Sequence, residues 1–246
     1  MRWGRLAVEN HRGALVPRVL GPLLAAVALG WTGIYALVRE VGPVAWSLTL
    51  GGLLVFAAGL VDDLAPAGPR GIRDHVRALV SGHVTTGVVK LVVTVGTAIV
   101  LVARLGASTP WQAVAGVVLL AGCANVWNGL DVRPGRALKA YLPIGLAFLL
   151  AGDVAAAPIA FGMFIGALVA LPADLRELAM LGDSGANLLG FVGALGLYLV
   201  LPGWALAAAA VVAVGLNALG ETYTYSRAID RVAPLRWLDG LGRPHG

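Results

Sequence analysis

Residues 51–63 read GGLLVFAAGLVDD: eleven residues without a charge, followed at once by two adjacent carboxylates. Extended back to Val44, the apolar run approaches the ~20 residues that a helix needs to cross a bilayer. The pair Asp62-Asp63 then marks the point where that helix meets water. The same pattern recurs along the chain. Eight segments are predicted as spans: 14–38, 44–61, 85–103, 110–127, 138–151, 154–172, 186–201 and 203–220. Pro/Gly breaks such as Gly42-Pro43, Thr109-Pro110 and Pro202-Gly203 separate them. The fifth and seventh segments are short.

Composition agrees. The 246 residues are 59% hydrophobic with 34 Gly, and only 13% are charged, about half the usual ~25%. Mean hydropathy is +0.84. These values exclude a soluble globular enzyme, a disordered chain and a nucleic-acid-binding module. The predicted fold class is all-α, a polytopic membrane bundle of about eight helices forming one domain over residues 1–246. The lone Cys123 lies inside an apolar run, so neither a disulfide framework nor a thiolate metal site is expected. Met1 to Arg18 carries four Arg and no separate apolar stretch before a small-residue cleavage site, so no cleaved signal is expected.

Charge fixes the sidedness. One set of loops comprises the N-terminus, 62–84, 128–137, 173–185 and the tail from 221. With Arg18 and Lys139 just inside span ends, it holds 15 of the 18 basic residues. The positive-inside rule makes this set cytoplasmic, with both termini inside. Eleven of the 13 acidic residues fall on the same face, a bias which that rule does not cover. Carboxylates and guanidiniums together suit a metal with phosphate-rich ligands, although longer loops also collect whatever is polar. The tail from Glu221 to Leu241 mixes charges with Tyr, Ile, Leu and Trp237. It suits either an amphipathic segment along the inner surface or a segment folded under the bundle.

Four constellations on that face are candidates for chemistry. Asp62 and Asp63 suit Mg²⁺ binding or acceptance of a phosphate proton, or are simply a solvated helix end. Lys90 sits six residues into the third span, where a charge is costly unless it snorkels to the interface. Asn125, Asn128 and Asp131 recur at i, i+3 and i+6 on roughly one helix face. Their oxygens suit a hard cation, and Arg133, Arg136 and Lys139 follow at spacings suited to phosphate. The bland alternative is a helix end followed by juxtamembrane positive charge. Gly182-Asp183-Ser184-Gly185 opens the seventh span as a turn in which Asp183 or Ser184 can cap and backbone N–H groups face an anion, although such a turn alone is common. A serine-protease reading of this turn needs a His in a later span, and the only later one is His245 in the tail.

In that order these motifs resemble the polyprenyl-phosphate N-acetylhexosamine-1-phosphate transferase family, over residues from about Asn10 to Arg243. Asn10-His11-Arg12-Gly13 through Pro17-Arg18 looks like the family's first cytoplasmic motif. Asp62-Asp63 looks like its aspartate pair, and Lys90 like the Lys of the following span. Asn125-x-x-Asn128-x-x-Asp131 is similar to its NxxNxxD motif, and Gly182-Asp183-Ser184-Gly185 to its GD(T/S)G motif. The chain is shorter than family members, with fewer spans. It continues Asp131-Val132-Arg133-Pro134-Gly135-Arg136 where they carry a second aspartate, and it lacks their His-rich loop.

The resemblance implies transfer of a sugar-1-phosphate from a UDP-sugar to a polyprenyl (undecaprenyl) phosphate, with release of UMP, at the cytoplasmic face of the cell membrane. It implies Mg²⁺, or Mn²⁺, held by Asp183 and Asn128, with Asp62, Asp63 and Asp183 as the catalytic carboxylates. Asn10, Arg12, Lys90, Asn125, Asp131, Arg133, Arg136, Arg243 and His245 are then expected to contact substrate or phosphate. A homodimer in the bilayer is a further expectation, and no nucleic acid partner is expected. The shortened chain and the missing aspartate favour a second possibility: a non-catalytic paralogue that binds polyprenyl phosphate and scaffolds or regulates envelope assembly.

Overall fold

The computed structural model describes residues 6–65, 68, 71–153 and 155–243. A small antiparallel hairpin, β1 (Ala7–Glu9) and β2 (Leu15–Pro17), precedes the helices. Eight helices then run back and forth: α1 (Leu20–Val38), α2 (Pro43–Leu64), α4 (Thr86–Leu105), α5 (Pro110–Leu130), α6 (Arg136–Leu150), α7 (Ala157–Leu175), α8 (Gly182–Val200) and α9 (Gly203–Thr222). A short helix, α3 (Gly71–Val80), lies between α2 and α4. Two more, α10 (Tyr225–Arg231) and α11 (Ala233–Gly240), close the described chain. The all-α membrane bundle expected from the sequence is the fold observed.

Among the described residues seven helices are long and apolar enough to cross a membrane. The eighth, α6, has 15 residues with Pro143 inside it, which gives about 22 Å at ~1.5 Å per residue. It nevertheless traverses the bundle. It starts beside Asp239 of α11, and its far end shares a small cavity with Tyr35 of α1 and Asp153. The first expected span is also shorter than 14–38, because residues 15–17 pair with 7–9 as strand β2. At the other boundaries α2, α5 and α8 extend further than expected, so that Asp62, Asp63, Asn128 and Asp183 are helical.

Capping and turn chemistry explain many ends. Thr85 and Thr109 accept from the N–H groups of Val88 and Gln112 and so cap α4 and α5. Pro43 and Pro110 stand at first-turn positions where a missing N–H costs nothing. Gly106 ends α4 at φ 74°, the left-handed conformation that glycine adopts without strain.

Helix α8 is the axis of the bundle, packed by α1, α2, α5, α6 and α7. It carries Leu188, Leu189, Phe191, Val192 and Leu195 fully buried. Small residues let neighbours approach it at backbone distance, as is usual for helices packing in membranes. A Cβ on Gly190 would stand 2.3 Å from the Cys123 carbonyl oxygen, and one on Gly59 2.6 Å from the Ser184 Cα. By contrast α4 and α9 leave Ile99, Val100, Val211, Val212 and Val214 exposed, the surface that a bilayer covers.

Candidate functional site

The ends of these helices converge at one end of the bundle. Adjacent residues on a helix point about 100° apart, so the two aspartates at the end of α2 diverge. Asp63 points inward and has no exposed side-chain surface. Its Oδ1 accepts from the Asp183 N–H at 3.0 Å and its Oδ2 from the Ser184 N–H at 2.9 Å. Arg18 Nη1 donates to Oδ1 at 2.9 Å, and Arg18 Nη2 donates to the Asp63 carbonyl at 2.7 Å. Leu181, at the N-cap position of α8, provides no side-chain cap. Asp63 fills that role from another helix. The Gly182 N–H is taken in turn by Asp131 Oδ2 at 3.0 Å. The first three N–H groups of α8 therefore meet the protein's own carboxylates, which sit where the helix dipole favours anions. The anions that these N–H groups face are thus supplied by the protein itself.

Asp62 points sideways towards α4. Lys90 Nζ donates to its Oδ2 at 2.7 Å, and the Thr86 hydroxyl donates to Oδ1. Lys90 also donates to Asp183 Oδ2, which receives a longer bond from Asn128 Nδ2 at 3.3 Å. Lys90 thus does not snorkel to the interface but bridges two carboxylates. Unlike Asp63 the cluster is open, with the Asp183 side chain 30% exposed and that of Asp62 20%. Among the described residues it holds the carboxylates of Asp62, Asp63 and Asp183 against two cations, Arg18 and Lys90, with Asp131 beside them. Burial pushes the Asp131 carboxyl well above the usual carboxylate range, and Asp174 and Asp183 nearby add to this. No group of three or more His, Cys, Asp or Glu poised to hold a metal occurs among the described residues. The oxygens available to a cation are those of Asp62, Asp183 and the Asn128 amide.

Beside the cluster lies a cavity of about 360 Å³, lined by Asn10, His11, Asp131, Arg133, Asp174 and Glu177 among others. The hairpin forms one wall. Asn10 Oδ1 accepts from the Arg12 and Ala14 N–H groups and so fixes the turn, while Asn10 Nδ2 donates to Glu177. Arg12 pairs with Glu177 at 3.3 Å. Asn10 and Arg12 therefore shape the wall through bonds to the protein, with the Arg12 side chain still 54% exposed. Asp174 Oδ2 accepts from the Gly135 N–H at 2.8 Å and holds the opposite loop. Arg133 is half-buried against the cavity, and no ion pair joins it to the described residues. His11 is held below its ordinary pKa, first by partial burial, with Arg133, Arg12 and Arg243 opposing its charge and Glu177 favouring it.

Three expected ligand contacts lie elsewhere. Asn125 Nδ2 donates to Asn217 Oδ1 at 2.6 Å and ties α5 to α9, since the 60° between it and Asn128 is enough to aim it away. Arg136 is buried and forks onto Asp239 at 2.8 and 2.9 Å, with a further bond to Ser226. Arg243 joins the same carboxylate at 2.7 Å and donates to the Pro134 carbonyl at 2.9 Å. Lys139 completes this clamp by donating to the carbonyls of Leu238, Asp239 and Leu241. His245 lies outside the described residues. Sequence reasoning passed over Thr86, which stands four residues before Lys90 and hence on its face, and it named Arg18 within the first motif without its pairing to Asp63. It also passed over Asp174 and Asp239, for which no local pattern gives a signal.

Two outcomes follow from this geometry. Asp63→Ala removes a buried ion-pair partner and a cap, a loss of about 3–5 kcal/mol. It is expected to lower the thermal midpoint in detergent by roughly 6–20 °C. Asp62→Ala leaves Lys90 its bond to Asp183, so a shift of under about 3 °C is expected. The reverse order would contradict the assignment of the cap to Asp63. Burial alone would raise Asp239, but the guanidiniums of Arg136 and Arg243 outweigh it and bring the carboxyl to about 2. Because the folded value lies below the unfolded ~3.9, the clamp stabilises fully above about pH 4 and is lost as pH falls towards 2. Hydrogen exchange of α11, corrected for intrinsic rates, should hold constant from pH 7 to about 4.5 and accelerate below about 4. Acceleration already at pH 6 would show that another group controls the clamp.

No protein-family model matches the chain, and comparisons with curated proteins and with solved structures likewise found no match.

Proposed function

We propose that this membrane protein transfers a sugar-1-phosphate, on the motif resemblance an N-acetylhexosamine-1-phosphate, from a UDP-sugar to a polyprenyl phosphate. The observation that carries the proposal is the open cluster in which Lys90 bridges Asp62 and Asp183 beside Asn128, with carboxylates in excess over cations. Carboxylates in excess over cations at a partly exposed site suit a divalent cation, which would in turn attract the diphosphate. Asp183, the Asn128 amide oxygen and Asp62 are hard oxygen donors of the number Mg²⁺ takes from protein when phosphates supply the rest. Bound there, Mg²⁺ would neutralise charge on the diphosphate.

The residues of the chain take the remaining roles. The acceptor phosphate oxygen attacks the sugar-bearing phosphorus of the UDP-sugar. A new P–O bond joins lipid phosphate to sugar phosphate, the bond between the bridging oxygen and that phosphorus breaks, and UMP leaves. The acceptor attacks as the phosphate dianion, so no proton has to move, and Asp62 positions it through Lys90, since both oxygens of Asp63 are committed to α8. Lys90 holds a phosphate oxygen between the two carboxylates. Arg133 faces the adjoining cavity, whose size suits a nucleoside monophosphate, and steadies the departing UMP. The Arg and Lys bias of the loops at this end of the bundle supports a reaction on the cytoplasmic side of the cell membrane.

One observation favours the non-catalytic alternative. Arg136 and Arg243 are both engaged by Asp239, which leaves fewer cations for a diphosphate than the motifs implied. The two readings part in a single assay. Purified protein is incubated with Mg²⁺, undecaprenyl phosphate and a panel of UDP-sugars, and UMP release is measured. UMP should appear with one donor, vanish with EDTA, and fall at least about 10²-fold in Asp183→Ala and in Asp62→Asn. Unchanged rates in both variants would overturn the roles of Asp183 and Asp62. No UMP with any donor would favour the alternative.

A further inference from the structure

The last two helices carry a surface that the bundle does not use. At about 100° per residue, Pro234, Leu235, Trp237 and Leu238 fall within roughly 160° of the circumference of α11, while Arg236 and Asp239 lie outside that arc. Trp237 is 66% exposed and Leu238 49%, and Leu235 and the flanking Val232 and Leu241 are exposed as well. Arg227, Arg231 and Arg236 on the same segment also face outward.

The position of this segment along the bundle is fixed. Helix α9 ends at Thr222 and α10 starts at Tyr225. The Tyr225 ring packs where Gly129 and Gly220 leave room, and its hydroxyl donates to the Leu216 carbonyl inside α9. Arg231 stacks over Tyr223 at 5.1 Å. At the far end, Lys139 is one turn inside α6 and holds the last carbonyls of α11. Both ends of the segment are therefore anchored at the level where membrane-crossing helices begin and end. An aromatic and leucine arc at that level, flanked by Arg, has the composition of an interfacial amphipathic helix.

We propose that α10 and α11 lie in the membrane–water interface, with the arc of Leu235, Trp237 and Leu238 in the acyl boundary and Arg227, Arg231 and Arg236 on anionic lipid headgroups. The occupant is a lipid surface and not a second protein, because the segment is held at the level where the membrane-crossing helices end and its exposed charges are three Arg against one acid, Asp230. Juxtamembrane basic residues gain favourable energy near an anionic leaflet. This inference rests on membrane embedding alone and is independent of the transferase reading.

The test is a fluorescent label on Leu238→Cys in nanodiscs of phosphatidylcholine, with and without a quarter of phosphatidylglycerol. Cys123 is buried, so the parent chain serves as the unlabelled control, and Glu40→Cys in the exposed α1–α2 loop is the reference for water access. Leu238 contributes to the clamp only through its carbonyl, so the substitution preserves it. The label at 238 should be quenched by nitroxide lipid bearing its spin label near the headgroup. Iodide quenching should be several-fold weaker than at Glu40→Cys, and lipid quenching should strengthen when phosphatidylglycerol is present. The triple change Arg227→Gln, Arg231→Gln and Arg236→Gln should remove that lipid dependence. Iodide access equal to that at Glu40→Cys would overturn the proposal and leave the face to a protein partner. Lipid quenching indifferent to phosphatidylglycerol would overturn the role of the arginines.

Discussion

The start of helix α8 is the constraint on which the rest of the site depends. A helix that begins inside a membrane protein presents N–H groups with no intrahelical partner and a partial positive charge. Here Asp63 and Asp131 satisfy three of those groups from α2 and from the end of α5. Arg18, just before α1, balances Asp63. One set of bonds therefore locks α1, α2, α5 and α8 to each other at the end of the bundle where chemistry is possible. Gly59 and Gly190 allow the approach, since a side chain at either would strike the backbone of a neighbouring helix.

Fixing α8 in this way decides where Asp183 points. It is the second residue of the helix, and with its own N–H held by Asp63 its carboxylate is left to meet Lys90 and Asn128. The adjacent aspartates of α2 thus divide the work. One is spent on architecture and hidden, and the other stays partly open beside a lysine. This division is a consequence of helical geometry, because neighbouring side chains cannot share a direction. The tail clamp does for the 131–136 loop what Asp63 does for α8. Arg136, Lys139 and Arg243 converge on the end of α11, and Asp174 holds Gly135 from the other side.

The fold was legible because bilayer-length apolar runs and their charged ends follow directly from solvation. The convergence of Asp62, Asp63, Lys90, Asn128, Asp131 and Asp183 was also legible, since each stands at the same end of a span and sidedness is read from charge. What was not legible is how the charges pair. Nothing local distinguishes Asp62 from Asp63, and nothing links Arg136 to Asp239 across 103 positions. Arg136 reads as a phosphate ligand because a juxtamembrane arginine looks the same whether its partner is substrate or protein, and Arg243 does so only through the family resemblance. Asn125 was misassigned for a related reason. A spacing of three keeps two residues near one face, but helix α9 lay close enough to claim the first. The 15-residue α6 was foreseen as short, and Pro143 within it gave no sign of where it would sit.

The central claim is that the cluster of Asp62, Lys90, Asn128 and Asp183 receives a diphosphate together with a divalent cation. Equilibrium binding of a UDP-sugar to the purified protein, with and without Mg²⁺ and with UMP as competitor, tests it most directly. The account expects saturable binding that requires Mg²⁺, is displaced by UMP and is lost in a folded Asp183→Asn variant. Binding of polyprenyl phosphate with no Mg²⁺-dependent binding of any UDP-sugar would contradict it.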